Sequence, residues 1–283
     1  PNKTENNSGY LKISNILKNM DISVPKIIKS DLKKGNFLIE DFGTNSYKNF
    51  LKKKNEYKLY NLAVDNLLHI NKSSKKIQNK LPKYTNIKFI EESLLFLKWY
   101  WPAVIGTKAK KEIFDEFINI WNYLLTENLK TKKVLVHRDF HIDNLFFLQN
   151  RKKIKACGLI DFQDALIGPS SYDLMSLLED ARRNVNKIII LKMYKKFVKN
   201  LSTKNKENFS KEYKVLAANR HLKVIGIFTR LSVRDKKKNY LKHIPRLWRL
   251  LENNLEDNSL FKLNNWINKY FPKKFRIVPK VKL

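Results

Sequence analysis

Val136-His-Arg-Asp-Phe-His-Ile-Asp-Asn144, followed by Gly158-Leu-Ile-Asp-Phe-Gln163, decides how this chain is read. The apolar run Lys133–Val136 leads into the first segment. Leu145–Leu148 and Ile154–Ile160 are strand-like, and Gln149-Asn-Arg-Lys-Lys153 makes the turn between them. If the turn centres near Lys152 and Lys153, paired residue numbers sum to about 305 in an antiparallel register. That register puts Asn144 opposite Asp161, with Asp139 just upstream. Two oxygen donors at the open end of one hairpin can surround Mg2+ on a triphosphate. Mg2+ takes few protein oxygens and lets phosphates and waters complete its octahedron.

His-Arg-Asp alone, or Asp-x4-Asn alone, occurs by chance in loops. Together, bracketed by apolar strands and with a second Asp at the matched hairpin position, they are specific. This is the layout of a kinase catalytic loop and its metal-binding Asp. Asp139 is then expected to accept or orient the proton of an attacking hydroxyl. Asn144 and Asp161 are expected to hold the Mg2+ that neutralises charge on the phosphates of ATP. His137 is expected to fix the loop by hydrogen bonding rather than to move protons. A protein kinase needs an activation segment, a phosphosite and an Ala-Pro-Glu motif after its metal Asp. Here only the short loop Gln163–Ser171 precedes the helix opened by Tyr172-Asp-Leu-Met175. The acceptor is therefore expected to be a small molecule.

Outward from this core, the spacing of apolar residues predicts helices over Tyr10–Met20, Tyr47–Ile70, Glu91–Trp101 and Lys110–Leu125. After Gly168-Pro169 it predicts helices over Tyr172–Arg182, Lys187–Leu201, Lys206–Leu231, Tyr240–Asn253 and Ser259–Tyr270. Lys26–Lys29 and Asn36–Glu40 read as short strands joined at Asp31–Gly35, and Ser46 as an N-cap. Lys273–Leu283 reads as a loose basic tail. No internal repeat is present.

Lys and Arg number 58 against 26 Asp and Glu, a formal net charge of +32. Such charge suits a polyanion. Yet Lys greatly outnumbers Arg, Asn and Ile are abundant as in AT-rich coding, and no recognition-helix, RNP or zinc-finger pattern occurs. No specific nucleic acid partner is expected. The single Cys157 excludes an intrachain disulfide framework and a Cys-cluster metal site, and reads as a buried small residue. Apolar runs such as Leu94–Leu97 and Ile188–Leu191 are far too short to cross a bilayer. Pro1–Gly9 is polar and carries no signal-peptide pattern, so a cytoplasmic protein without membrane attachment is expected. The first residue is not Met, which suggests a start downstream of the true N-terminus.

The sequence resembles the aminoglycoside phosphotransferase-like kinases, which share the protein-kinase fold. It is similar in particular to the bacterial branch that includes the anomeric N-acetylmuramate and N-acetylglucosamine kinases of cell-wall recycling. The residues that carry the likeness are Leu38–Gly43, Glu92–Pro102, Val136–Asn144, Gly158–Arg183 and Asn219–Asp235. The resemblance implies an α+β fold, with a truncated small N-lobe and a mainly helical C-lobe holding a catalytic β-hairpin. It implies residues 1–46 as the remnant of the nucleotide-binding lobe and hinge, 47–272 as the helical lobe with the acceptor site, and 273–283 as the tail. It implies Asp139 as catalytic base, Asn144 and Asp161 as Mg2+ ligands, and Glu40, Asp41 and Phe42 as the hinge whose backbone meets the adenine of ATP. It implies a small-molecule sugar as acceptor, an N-acetylated amino sugar phosphorylated at the anomeric hydroxyl. Asp173 stands where the family has an Asp that props the catalytic loop. A plain helix-opening acid favoured by the dipole is equally compatible.

The family begins with further strands that carry a phosphate-covering loop. This chain begins after them, and its seven glycines form no phosphate-loop cluster. A truncated product with little turnover of its own is the expectation, and a silent remnant that binds a nucleotide or partner is the alternative to a kinase. The intact Asp139, Asn144 and Asp161 favour the kinase. Trp99, Tyr100 and Trp101 could stack on a sugar, but core packing is expected for at least two of them. His141, Asp143 and Asp164 are either acceptor contacts or solvated loop residues. Arg182, Arg183, Arg220, Arg230 and Arg234 are either anion contacts or surface ion pairs.

Overall fold

The chain enters through α1 (Asn7–Asn19), which buries Ile13, Ile16 and Leu17, the i, i+3, i+4 positions of one helical face. The computed structural model describes residues 7–32 and 34–280. β1 (Ile27–Asp31) and β2 (Asn36–Ile39) pair antiparallel, with Ser30 opposite Phe37. Next comes α2 (Tyr47–Phe50), capped as expected by Ser46, whose hydroxyl accepts the Asn49 amide at 3.3 Å. The helix expected over Tyr47–Ile70 is two helices, because α3 (Glu56–Ser73) starts anew after a break. Asn55 makes that break. Its Oδ1 accepts the Lys52 amide at 2.7 Å and its Nδ2 donates to the Phe50 carbonyl at 3.0 Å. A short amide side chain thus takes the backbone groups that a continuous helix would have used.

The remaining elements are α4 (Asn86–Leu95), α5 (Trp101–Ile105), α6 (Lys111–Asn128), β3 (Lys133–Val136), β4 (Leu145–Phe147), β5 (Cys157–Leu159), β6 (Leu166–Pro169), α7 (Tyr172–Leu178), α8 (Lys187–Val198), α9 (Thr203–Val233), α10 (Ile244–Leu255) and α11 (Phe261–Tyr270). They divide into two units. One comprises Pro1–Lys83, Lys132–Leu178 and Val185–Asn200, the other Tyr84–Thr131, Glu179–Asn184 and Leu201–Leu283.

In the first unit, α3 packs on α7, α8 and β3. Its face of Leu59, Tyr60, Ala63, Val64, Leu67 and Ile70 is buried. β3 pairs antiparallel with β6, Val134 opposite Gly168. β6 was not expected, because Gly168 and Pro169 read as loop signals. Pro169 sits at the strand's end, where a missing N–H costs the ladder least. β4 and β5 pair with Leu145 opposite Leu159. This register differs by one residue from the expected one. Asn144 is level with Ile160, whose amide donates to the Asn144 carbonyl at 3.1 Å. Part of the anticipated strand is a 3-10 turn, Lys153–Ala156, entered through left-handed Lys153. The turn consumes residues that the pattern assigned to the ladder.

In the second unit, α9 runs 31 residues, or about 46 Å. α4 and α10 pack along it. Gly226 makes the α4 contact possible: a Cβ there would sit 2.3 Å from the Leu95 carbonyl carbon. A π turn, Phe96–Tyr100, links α4 to α5. Tyr100 and Trp101 are core residues, as expected, while Trp99 is half-buried. Phe96, Tyr100, Trp248 and Phe271 form one aromatic cluster, with Phe96 and Phe271 centroids 4.7 Å apart. The tail is not loose where it is described. Tyr100 Oη lies 2.9 and 2.7 Å from the carbonyl oxygens of Phe275 and Ile277. Arg276 donates to Glu252, Asn268 and the Phe271 carbonyl. Residues 281–283 lie outside the described residues. Among the described residues, no helix is long and apolar enough to cross a membrane.

Candidate active site

The site lies in the first unit, on the loop after β3 and at the open end of the β4–β5 hairpin. β3 is buried and ends at Val136. The chain then turns through Arg138 at φ 76°, in the left-handed region that a side chain rarely adopts. Asp173, in the first turn of α7, holds the turn in place. Its Oδ2 accepts the His137 amide at 2.6 Å and its Oδ1 accepts the Arg138 amide at 3.0 Å. Asp173 is 4% exposed. It therefore props the loop as well as opening the helix, and the two sequence readings coincide in one carboxylate.

His137 braces the loop from the other side. Its Nε2 lies 2.9 Å from the Ile160 carbonyl, and a carbonyl only accepts, so Nε2 carries the proton. Burial lowers the His137 pKa, against the opposing fields of Asp139 and Asp161. A neutral, fully buried imidazole that donates to backbone fits the expected bracing role. The loop continues with the His141 amide donating to the Asp139 carbonyl at 3.0 Å, then a 3-10 turn to Asn144. Arg138 Nη1 reaches the Asp164 carbonyl at 3.3 Å.

Asn144 Nδ2 donates to the Asp139 carbonyl at 3.0 Å and to Asp161 Oδ2 at 3.3 Å. The one-residue shift would turn the Asp161 side chain away from Asn144 if the strand continued. Asp161 avoids this by taking φ 61°, which swings its carboxylate back. Asn144 is buried, Asp139 half-buried and Asp161 exposed. Gln163 Nε2 donates to Asp161 Oδ1 at 2.9 Å. This contact was missed in the sequence, although Gln163 lies two residues past Asp161 in the quoted motif.

The donor set suits a hard cation shared with a polyphosphate: a carboxylate and an amide side chain within hydrogen-bond reach of each other. Among the described residues, no three His, Cys, Asp or Glu side chains converge as an all-protein metal cage. Asn144 and Asp161 can thus hold Mg2+ only with phosphates or waters completing its shell.

The segment Glu40–Phe42 meets the same hairpin. Phe42 packs on Gly158, where a Cβ would fall 2.5 Å from its ring, and tilts against Phe146 at 5.9 Å. Glu40 accepts the Lys26 amide at 3.0 Å and pairs with Arg151 at 2.5 Å, while Arg151 also lies over the Phe42 ring. Asp41 Oδ1 accepts the Gly43 amide at 2.7 Å. The side chains of Glu40, Asp41 and Phe42 are thus engaged in holding the segment. A cleft of about 730 Å3 borders them, lined by Lys18, Lys26, Glu40, Asp41, Arg151 and Lys155. It holds none of Asp139, Asn144 and Asp161.

Of the other candidates, His141 is buried, Asp143 lies 3.8 Å from Lys48, and Asp164 is exposed. Cys157 is fully buried, and burial pushes its thiol up to about 12 despite a hydrogen bond with Tyr47. It is a packing residue, as read from the sequence.

The model of a family described as the phosphotransferase enzyme family matches residues 4–190. The N-acetylmuramate/N-acetylglucosamine kinase of Pseudomonas aeruginosa is 30% identical over 249 residues, 86% of this chain and 72% of that protein. The enzyme of the same name from Caulobacter vibrioides is 29% identical over 259 residues, 89% of this chain and 71% of that protein. Among solved structures, the gentamicin–APH(2″)-IIa complex superimposes with a TM-score of 0.56 at 17% identity, covering 90% of this chain and 81% of that one. The ethanolamine kinase of Plasmodium vivax gives a TM-score of 0.58 at 15% identity, covering 96% and 76%. The fold is the kinase-like α+β fold expected from Val136–Asn144 and Gly158–Arg183.

Proposed function

We propose that this chain, which belongs to the phosphotransferase enzyme family, transfers the γ-phosphoryl group of ATP to the anomeric hydroxyl of an N-acetylated amino sugar. N-acetylmuramate and N-acetylglucosamine are the acceptors that the names of its relatives suggest. The observation that carries the proposal is the loop held by Asp173, on which Asn144 joins the Asp139 backbone to the Asp161 carboxylate. Asp139 orients the sugar hydroxyl and accepts its proton as the oxygen attacks phosphorus. Asn144 Oδ1 and the Asp161 carboxylate would hold Mg2+. When bound, the ion offsets charge on the β- and γ-phosphates. His137 and Asp173 keep the loop in one conformation, so that little reorganisation is needed at the moment of transfer. The backbone of Glu40–Phe42 receives the adenine. Residues 1–46 supply the nucleotide side of the site, and residues 47–272 the catalytic and acceptor side.

Charge favours an acetylated sugar over a polycationic antibiotic. From Arg182 to Leu283 there are 28 Lys and Arg but six Asp and Glu. A cluster of ammonium groups needs carboxylates to replace its lost water. Acetylation removes the amine charge, and N-acetylmuramate adds a carboxylate of its own.

A coupled ADP-release assay on the full-length enzyme with N-acetylmuramate, N-acetylglucosamine and kanamycin tests this. The acetylated sugars should give the higher kcat/KM. Asp139→Ala should lower kcat by about a hundredfold or more with thermal unfolding unchanged. Near-normal turnover by Asp139→Ala would sink the mechanism, and a preference for kanamycin would sink the substrate assignment.

A further inference from the structure

Asp161 is exposed and sits at φ 61°. The terminal torsion of an Asp side chain is soft, so an exposed carboxylate turns freely unless each oxygen is held. Here each is. Asn144 Nδ2 lies 3.3 Å from Oδ2, and Gln163 Nε2 donates to Oδ1 at 2.9 Å. A carboxylate only accepts, so Gln163 must face it with its nitrogen. The Gln163 bond is the shorter of the two, and without it the plane of the carboxylate would rest on the long contact with Asn144.

Gln163 is itself held by the backbone. The Ala165 amide donates to the Phe162 carbonyl at 3.0 Å, closing a tight turn with Gln163 at its corner. Both ends of the turn, Phe162 and Ala165, are buried, and the Phe162 ring stacks on Tyr10 with centroids 4.9 Å apart. The next residue, Asp164, accepts Arg138 Nη1 on its carbonyl at 3.3 Å. The turn thus reaches the catalytic loop as well as Asp161.

The chemistry of the donor matters. The chain carries 58 Lys and Arg, yet the two side-chain partners of Asp161 among the described residues are neutral amides. An ammonium or guanidinium in that place would offset the carboxylate's charge and compete with a cation. An amide fixes the carboxylate and leaves its full charge to the ion.

We propose that Gln163 is a positioning residue for Asp161, fixing its carboxylate and so setting the affinity of the site for a divalent cation shared with nucleotide. This rests on Asp161 as the Mg2+ ligand proposed above.

Mn2+, another ion of octahedral oxygen sites, titrated into the full-length enzyme with ADP and followed by electron paramagnetic resonance, tests it. Gln163→Met, which keeps the length but loses the donor, should weaken Mn2+ binding by about ten- to a hundredfold. Calorimetric titration with ADP in EDTA should give unchanged affinity, which a general disturbance of the fold would not. Gln163→Ala repeats the test should Gln163→Met fold poorly. Adding Gln163→Met to Asp161→Ala should cost no more than Asp161→Ala alone, since the first acts through the second. Unweakened Mn2+ binding in the folded Gln163 variants, or an equal loss of metal-free ADP affinity, overturns the positioning role. If Asp161→Ala itself binds Mn2+ normally, the ligand assignment fails and the role falls with it; if Asp161→Ala loses Mn2+ while the Gln163 variants keep it, the role alone fails.

Discussion

Replacing Asp173 by Ala removes the acceptor for two backbone amides at once. The His137 amide, 2.6 Å from the carboxylate, belongs to a fully buried residue, while Arg138 is half-buried. A hydrogen bond to a charged group contributes about 1.5–3 kcal/mol, and a buried donor left without a partner forfeits most of it. The Arg138 amide can turn to water and lose less. Part of the loss returns as the strained left-handed turn at Arg138 relaxes. The net expectation is about 3–4 kcal/mol, or roughly 10 °C in Tm for a chain of this size. Asp173→Asn keeps one carbonyl acceptor and should fall between the two. Differential scanning calorimetry reads the stability, and hydrogen exchange across Val136–Phe140 reads the loop. Exchange should rise at His137 and Arg138 before it rises elsewhere, and phosphoryl transfer should fall with it. If Asp173→Ala melts within about 1 °C of the unaltered chain and leaves both amides equally protected, the bracing role is wrong.

Three further outcomes are expected. Asp161→Ala should abolish the Mg2+-dependent part of ATP binding in calorimetric titrations; equal affinity with and without Mg2+ in the unaltered chain would contradict the ligand assignment. Gly226→Ala should cost about 3 kcal/mol or more, because the new Cβ meets Leu95 and Phe96 backbone at 2.3–2.6 Å; a Tm equal to that of the unaltered chain would refute the close approach of α4 and α9. Glu179 accepts hydrogen bonds from His221 and Asn254, each at 2.7 Å. Burial alone would raise its pKa, but His221, Asn254 and Lys214 outweigh it and the net shift is down. A depressed carboxylate stabilises fully above its unfolded pKa of 4.5 and loses that contribution as pH falls through the folded value. The Tm gap between the unaltered chain and Glu179→Gln should therefore be widest near neutral pH and close in acid. A gap that stays constant down to about pH 3 would contradict the shift.

The residues that meet at the candidate site were legible in the one-dimensional pattern. Asp139, Asn144 and Asp161 are read from spacing between apolar runs, since strand–turn–strand order forces a loop and a hairpin end to carry them. Helices with one clean apolar stripe, such as α1 and α8, were legible for the same reason: local periodicity reports which face must be buried. What the pattern could not decide was anything set by partners distant in sequence. β6 has no strand signature apart from its pairing with β3, and Gly168 and Pro169 argue locally for a loop. The Asn144–Ile160 register depended on a 3-10 turn at Lys153–Ala156, and a single residue there reverses which side chains share a face. Tyr100 anchors the tail at Phe275 and Ile277 across more than a hundred residues. Asp173 could be a helix-opening acid or a loop brace by sequence alone. Tertiary structure decided this by placing two backbone amides, one of them buried, 2.6 and 3.0 Å from its carboxylate. Short-range preferences choose the elements and bring the candidate residue types onto one loop and one hairpin end. Burial of unpaired polar groups, which exists only once the chain has folded, determines how those residues are held.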